Sequence, residues 1–354
     1  MTSERKKLFI IGAGASKQIK KYLTGEQLLE KIKDYFSNLD TNYNSTSTQG
    51  HSLRSKIEYF TSKDKDKIYD LIYNLYESSH SDDFKCSATL SILIKLHNPD
   101  SIDNFVQNLE LFIPNEIKQL VCIDKIKKQA QDIVANILKE IRNNSTLYPK
   151  ETIYFYKILQ ALESELSNIS IINFNYDTFL EEVFEYFTAT RVDQIPYQLF
   201  KKTIEESHVY GDIDNGIEFI RKINKSQIKK YWDKFNNSDD VYFLGFGFDK
   251  TNMKNIGLDK IKQGECNMNN KRIYITQYAG EKKIQNGAID NRRFSPKIIS
   301  TIEDTFCVRG FNSKPGMDFF LDGGIRIGEK NSTGKVFISG LSVQDAIKYD
   351  FNIN

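Results

Sequence analysis

The sequence predicts an α/β fold, a doubly wound parallel sheet that carries a large helical insertion. Four short apolar runs have the β-branched or aromatic content of strands buried on both faces: Leu8-Phe9-Ile10-Ile11, Ile169 to Ile172, Val241 to Leu244 and Ile273 to Ile275. Each is followed by a polar or glycine-containing loop, as expected where strands leave a sheet. Between the first two runs the chain is dominated by helical periodicity, far more than the one crossover helix that a parallel pair requires.

Taken in order, the first strand breaks at Gly12, and Gly12-Ala13-Gly14-Ala15-Ser16 leads into Lys17 to Phe36, which can become helix after a loop. Asn38 to Ser52 is rich in Ser, Thr and Asn and reads as an exposed loop. Helical stripes follow at Ile68, Leu71, Ile72 and Leu75, then across Lys125 to Arg142, then at Ile158, Leu159, Leu162 and Leu166. Spacings of three and four put each set on one face, the mark of a core-facing helix. The second strand ends in Asn173-Phe174-Asn175-Tyr176-Asp177 and opens an amphipathic helix, Thr178 to Phe187. A weaker fifth strand candidate surrounds His208 and Val209, and the third strong strand runs into Gly245-Phe246-Gly247-Phe248-Asp249. From about Gly310 the glycines 316, 323, 324, 328, 334 and 340 punctuate short apolar pieces, which suggests hairpins or a small appendage. The expected organisation is one domain over residues 1–310, with a helical insertion at 17–165, and a glycine-rich appendage at 311–354.

Composition narrows the function classes. The 354 residues include 49 basic and 47 acidic side chains, and a net charge of +2 creates little of the field that drives phosphate-backbone binding. No nucleic-acid partner is expected, and Lys125, Lys127 and Lys128 read as a solvated helix face. Cys86, Cys122, Cys266 and Cys307 form no Cys-x-x-Cys pair, so buried thiols are expected and a metal is not. No apolar run approaches the roughly 20 residues of a membrane span, so the expectation is a cytoplasmic protein without membrane binding.

The turn after the first strand suits an anion. Glycines let the backbone approach a ligand closely, and the amides and dipole at a helix start attract phosphate oxygens. The same turn can also be purely structural. The third glycine and the downstream acid of a hydride-transfer fingerprint are missing, and so is the Gly-Lys-Ser/Thr of a phosphate loop. Asn173 to Asp177 leaves a second strand at its carboxyl end, where doubly wound sheets bind ligands. Alone, Asn175 and Asp177 would read as a helix cap and its neighbour; together, the two turns can face one another across one crevice.

The combination resembles the sirtuin superfamily, specifically its bacterial sirtuin-like branch linked to phage defence, over Leu8–Ser16 and about Ser170–Asp249. The resemblance implies a Rossmann-like doubly wound sheet and NAD as substrate. Gly12, Ala13, Gly14, Ala15 and Ser16 match the Gly-Ala-Gly-Ala-Ser turn that would anchor the pyrophosphate. Asn173 to Asp177 matches the segment flanking nicotinamide and ribose, so Asn175 would orient the nicotinamide-ribose or the attacking water, Asp177 would support that pocket, and Tyr176 would contact the nucleotide. His208-Val209-Tyr210-Gly211-Asp212 departs from the family pattern: the histidine expected just before the glycine is replaced by Tyr210, and His208 lies two residues earlier. Residues two apart in an extended segment point to the same side, and a histidine titrating near neutrality suits a base. His208 is therefore the candidate base, with Tyr210 as substitute; a capping or core histidine is the alternative. Gly245 and Gly247 match a ribose- or phosphate-contacting loop. The implied activity is cleavage of the nicotinamide–ribose bond by an antiphage effector, gated by homo-oligomerisation or a defence-system partner protein. Protein deacylation, an NAD-derived-ligand sensor without catalysis, and a scaffold with no nucleotide are the competing readings.

Overall fold

The computed structural model describes most of residues 5–33, 65–276 and 296–306, with short strand segments within 284–289, 324–327 and 335–339. The chain begins with β1 (Lys7–Ile11) and α1 (Ala13–Lys17). Then come α2 (Lys65–Glu77), α3 (Asp82–His97), α4 (Ile102–Gln107), α5 (Leu109–Phe112), α6 (Asn115–Lys118), α7 (Ile123–Asn144) and α8 (Pro149–Ser164). They are followed by β2 (Ile169–Asn173), α9 (Phe179–Thr188), α10 (Ile195–Glu205), α11 (Lys225–Asn236), β3 (Asp240–Leu244), α12 (Lys250–Asn255), α13 (Asp259–Lys262) and β4 (Arg272–Thr276). Last are β5 (Ile284–Gln285), β6 (Ala288–Ile289), α14 (Pro296–Phe306), β7 (Gly324–Ile327) and β8 (Lys335–Ser339).

The protein is a mixed α/β chain built on a sheet ordered β2-β1-β3-β4-β8-β7. Strands β1 to β4 are mutually parallel, and each of the four predicted apolar runs lies within one of them. The registers align Ile11 with Asn173 on one side and with Leu244 on the other, so three strands end level and their exit loops share one edge. Phe9, Tyr242 and Tyr274 stand in register on neighbouring strands. Their rings stack at centroid separations of 4.8 and 4.6 Å, each contact contributing about 1 kcal/mol beyond burial. At the opposite edge, Asp240 accepts hydrogen bonds from Arg5 and Arg272. Burial raises its carboxyl, but the hydrogen bonds from Arg272 and Arg5 outweigh that and hold it below the usual carboxylate value.

The residues separate into two compact units. The first contains the sheet and comprises Met1–Tyr22, Ser145–Val209 and Lys222–Asn354. The second comprises Leu23–Asn144 and Tyr210–Arg221, and its described regular elements are helices. In it α3 is buried from Cys86 to Ile94 and packs on α7, whose buried stripe of Ile126, Ala130, Ile133, Val134, Ile137 and Leu138 is the one expected from spacing. Arg142 pairs with Asp214 at 2.7 Å and ties the 210–221 segment to α7. No helix among the described residues is long and apolar enough to cross a membrane.

The structure departs from the sequence reading in four places. Helix α1 starts at Ala13 without an intervening loop, and residues 27–33 form a separate helical stretch. Helix α8, expected inside the insertion, belongs to the sheet unit, while Tyr210–Arg221 joins the helical one. The fifth strand candidate is a single parallel bridge between Asn173 and His208. The segment expected as an appendage contributes an antiparallel β7–β8 pair whose β8 lies parallel to β4. Strand β8 thereby satisfies an edge of β4 that would otherwise expose unpaired amides and carbonyls. Asn38 to Ser52, Leu166, Cys266 and Cys307 lie outside the described residues.

Candidate functional site

The site grows from the level ends of β1, β2 and β3. Gly12 N–H donates to the Leu244 carbonyl at 2.9 Å, and Phe174 N–H donates to Ile11 at 2.9 Å. Immediately beyond, α1 turns across the end of β3, with Gly14 N–H on the Gly245 carbonyl at 3.1 Å. A Cβ on Gly12 would stand 2.6 Å from the Gly245 oxygen, and one on Gly245 would stand 2.1 Å from the Ala15 nitrogen. Gly245 also has φ +61°, a left-handed conformation costly for any other residue. Its N–H donates to Thr276 Oγ1 at 2.7 Å. These glycines therefore let two backbones touch. Gly247 differs: it is exposed, and a Cβ there would meet nothing within 4 Å. The next residue, Phe248, sits at φ 52°. Its ring packs with Phe243, Phe246 and Phe306, and Asp249 then caps α12 through Thr251 and Asn252.

Beneath this contact lies a buried polar cluster. Ser16 Oγ donates to Asp177 Oδ2 at 2.8 Å and accepts from Asn175 Nδ2 at 3.3 Å. Asp177 Oδ1 accepts the Phe179 N–H at 3.2 Å, at the start of α9. Asn173 exchanges backbone bonds with Ser207 and Val209, which brings His208 in from the third motif. The His208 ring spans the cluster, with Nδ1 2.9 Å from the Asn175 carbonyl and Nε2 2.8 Å from Glu181 Oε1. Asn173 Nδ2 lies 3.3 Å from the same Nε2, while Asn173 Oδ1 accepts the Asn175 N–H at 3.0 Å. Asn175 is 3% exposed and Asp177 is 4% exposed. Two buried acceptors, Asn175 Oδ1 and Glu181 Oε2, have no hydrogen-bond partner among the described residues. Each such atom costs about 1–3 kcal/mol, recoverable by a ligand that donates to it.

Burial pushes the Asp177 carboxyl up to about 7, against the opposing pull of Ser16, the Phe179 amide and His208, and with an added push from Glu181. Perturbation of this kind is typical of functional clusters. Next to it, Tyr22 donates to Glu182; burial, then Glu182, raises the tyrosine hydroxyl well above its ordinary value.

Of the residues singled out from sequence, Gly12, Ser16, Asn175, Asp177, His208 and Gly245 converge. Ala13, Gly14, Tyr176 and Gly245 are partly exposed, whereas Ala15 is buried, so the cluster has an accessible rim over a closed floor. Gly247 is on the exposed loop that leaves β3. Tyr210 is the first residue of the second unit's 210–221 segment, where its carbonyl accepts from Glu218 at 2.8 Å. Asn173 and Glu181 were missed as individual site residues. The available signal for Glu181 was its place four residues after Asp177, on one helix face with the apolar Phe184.

A cavity of about 500 Å³ lined by Lys6, Asn168, Ser170, Lys230 and Lys234 lies at the amino ends of β1 and β2, the opposite edge from this cluster. Among the described residues, no group of three or more His, Cys, Asp or Glu side chains could hold a metal ion. No protein-family model matches the chain, and no curated protein matches it with significant similarity.

Proposed function

We propose that the chain is a sirtuin-like NAD glycohydrolase, with a Rossmann-like sheet and the helical unit as its insertion. The observation that carries this reading is the buried hydrogen-bond chain joining Ser16, Asp177, Asn175 and His208, residues from three motifs far apart in sequence. The strand order β2-β1-β3-β4 reverses direction at β1/β3, the switch point where open α/β sheets bind nucleotides.

In this reading NAD and water give ADP-ribose, nicotinamide and a proton. The rim of Ala13 and Gly14 takes the pyrophosphate, and Tyr176 and the Gly245–Gly247 loop take the nucleoside. Asn175 Oδ1, buried and unpartnered among the described residues, accepts from the nicotinamide carboxamide or from the attacking water. Asp177, once ionised, supplies negative charge beside the oxocarbenium-like transition state. His208 acts through its neighbours, because both ring nitrogens are engaged. The proposal extends to a cytoplasmic antiphage effector held inactive by self-assembly or by a defence-system partner.

One observation favours a second reading, a sensor that binds an NAD-derived ligand without turnover: no His208 ring nitrogen stands clear of an internal partner. The deciding assay follows nicotinamide release and NAD binding by wild type, Asn175→Ala, His208→Ala and Tyr210→Phe. Hydrolysis predicts release by wild type and Tyr210→Phe that is lost in the other two. Binding without release by any form supports the sensor, and absence of both sinks the nucleotide reading.

A further inference from the structure

The contacts of His208 fix the protons between it and Glu181. The Asn175 carbonyl can only accept, so Nδ1, 2.9 Å away, carries a hydrogen. On the other side, Nε2 meets Glu181 Oε1 at 2.8 Å, a separation at which a bare imidazole nitrogen and a carboxylate oxygen would repel. A proton must lie between them. Asn173 Nδ2 is the alternative donor to Nε2, but it stands at 3.3 Å, turned there because its Oδ1 is occupied by the Asn175 N–H. With the Asn175 carbonyl on one side and the Glu181 carboxylate on the other both accepting, both ring nitrogens donate.

We infer that Glu181 is the positioning residue of this site, holding His208 as an imidazolium whose Nδ1–H fixes the Asn175 backbone and, through it, the Asn175 carboxamide. Helix α9 makes the pairing possible. Asp177 lies just before the helix, held by the Phe179 N–H, and Glu181 lies in its first turn, so both carboxyls enter the cluster. The side chains of His208 and Glu181 are 2% and 10% exposed, and the pair as a unit is neutral. Among the described residues, Asp177 is the titratable group that interacts with both members of the pair. The consequence for turnover rests on the hydrolase reading; the protonation state of the ring does not.

The test is nitrogen NMR of the histidine rings in the labelled full-length chain, with the His208 signal identified by its loss in His208→Gln. Wild type is expected to show both His208 nitrogens protonated at about pH 7. Glu181→Gln, which can donate to a bare Nε2, is expected to convert the ring to the neutral Nδ1–H form. In the same variant kcat for nicotinamide release falls about a hundredfold, with KM for NAD unchanged within about twofold. A neutral His208 ring in wild type at pH 7 overturns the inference by itself, even if the variant fails to fold. An unchanged ring in a folded Glu181→Gln protein overturns it equally. The expected spectra with no nicotinamide release from any form would remove the hydrolase reading and leave the pair standing. Release unaffected by Glu181→Gln, with an unchanged ring, would do the reverse.

Discussion

Gly245 and Gly247 stand two residues apart in the same loop, yet alanine at each should have very different consequences. At Gly245 a Cβ would lie 2.1 Å from the Ala15 nitrogen and 2.4 Å from the Gly14 carbonyl carbon. These are backbone atoms of α1, which cannot swing aside as a flexible side chain would. Its φ of +61° adds about 1–2 kcal/mol for any residue with a Cβ, and forcing apart packed backbone adds about 1–3 kcal/mol. The expected destabilisation is about 3 kcal/mol, or a fall in Tm of about 6–12 °C for a unit of this size. Gly247 has open space around its missing Cβ, so Gly247→Ala should stay within about 0.5 kcal/mol of wild type. Paired thermal melts by circular dichroism decide the matter. A Gly245→Ala protein melting within about 2 °C of wild type would refute the close-approach argument, since even the smallest cost above predicts more.

Two further perturbations address the polar floor and its support. The Asp177 carboxyl is raised from 3.8 to about 7 in the fold, so the native state keeps a proton that the unfolded chain releases. The associated stability is full below about pH 4 and is lost as pH rises to about 7, roughly 4 kcal/mol in all. Asp177→Asn should therefore gain on wild type over that window in denaturant titrations; parallel pH profiles for the two proteins would contradict the assignment. Thr276→Val removes the oxygen that accepts Gly245 N–H at 2.7 Å. Leaving that amide unpaired should cost about 1–3 kcal/mol and speed its hydrogen exchange, and unaltered exchange at Gly245 would show that another acceptor takes over.

Much of the framework was legible because it is local. Continuous apolar runs identified β1 to β4, since a strand buried on both faces has no polar side to show. Stripes at spacings of three and four identified α7 and, in α8, Ile158 and Leu159, since a helix repeats every 3.6 residues. From their place at a strand exit alone, Asn175 and Asp177 read as a helix cap and its neighbour, and the resemblance over three motifs is what singled them out. Glu181 was not singled out, because in a one-dimensional reading a glutamate next to Glu182 on an amphipathic helix is a solvated charge. Only the approach of His208 from the third motif makes it a buried partner.

The amino-acid sequence by itself determined that four apolar runs become β1 to β4, that Lys125 to Arg142 becomes helix, and which turns leave β1, β2 and β3, because those properties follow from backbone geometry and side-chain spacing within a few residues. Tertiary structure alone decided that Gly245 is sterically required and Gly247 is not, that His208 has both ring nitrogens occupied, and that Tyr210 begins a segment of the other unit. Each of these depends on atoms brought together from distant parts of the chain. Close contact, burial and loss of water create their energies, and none of the three is a property of a short stretch of sequence.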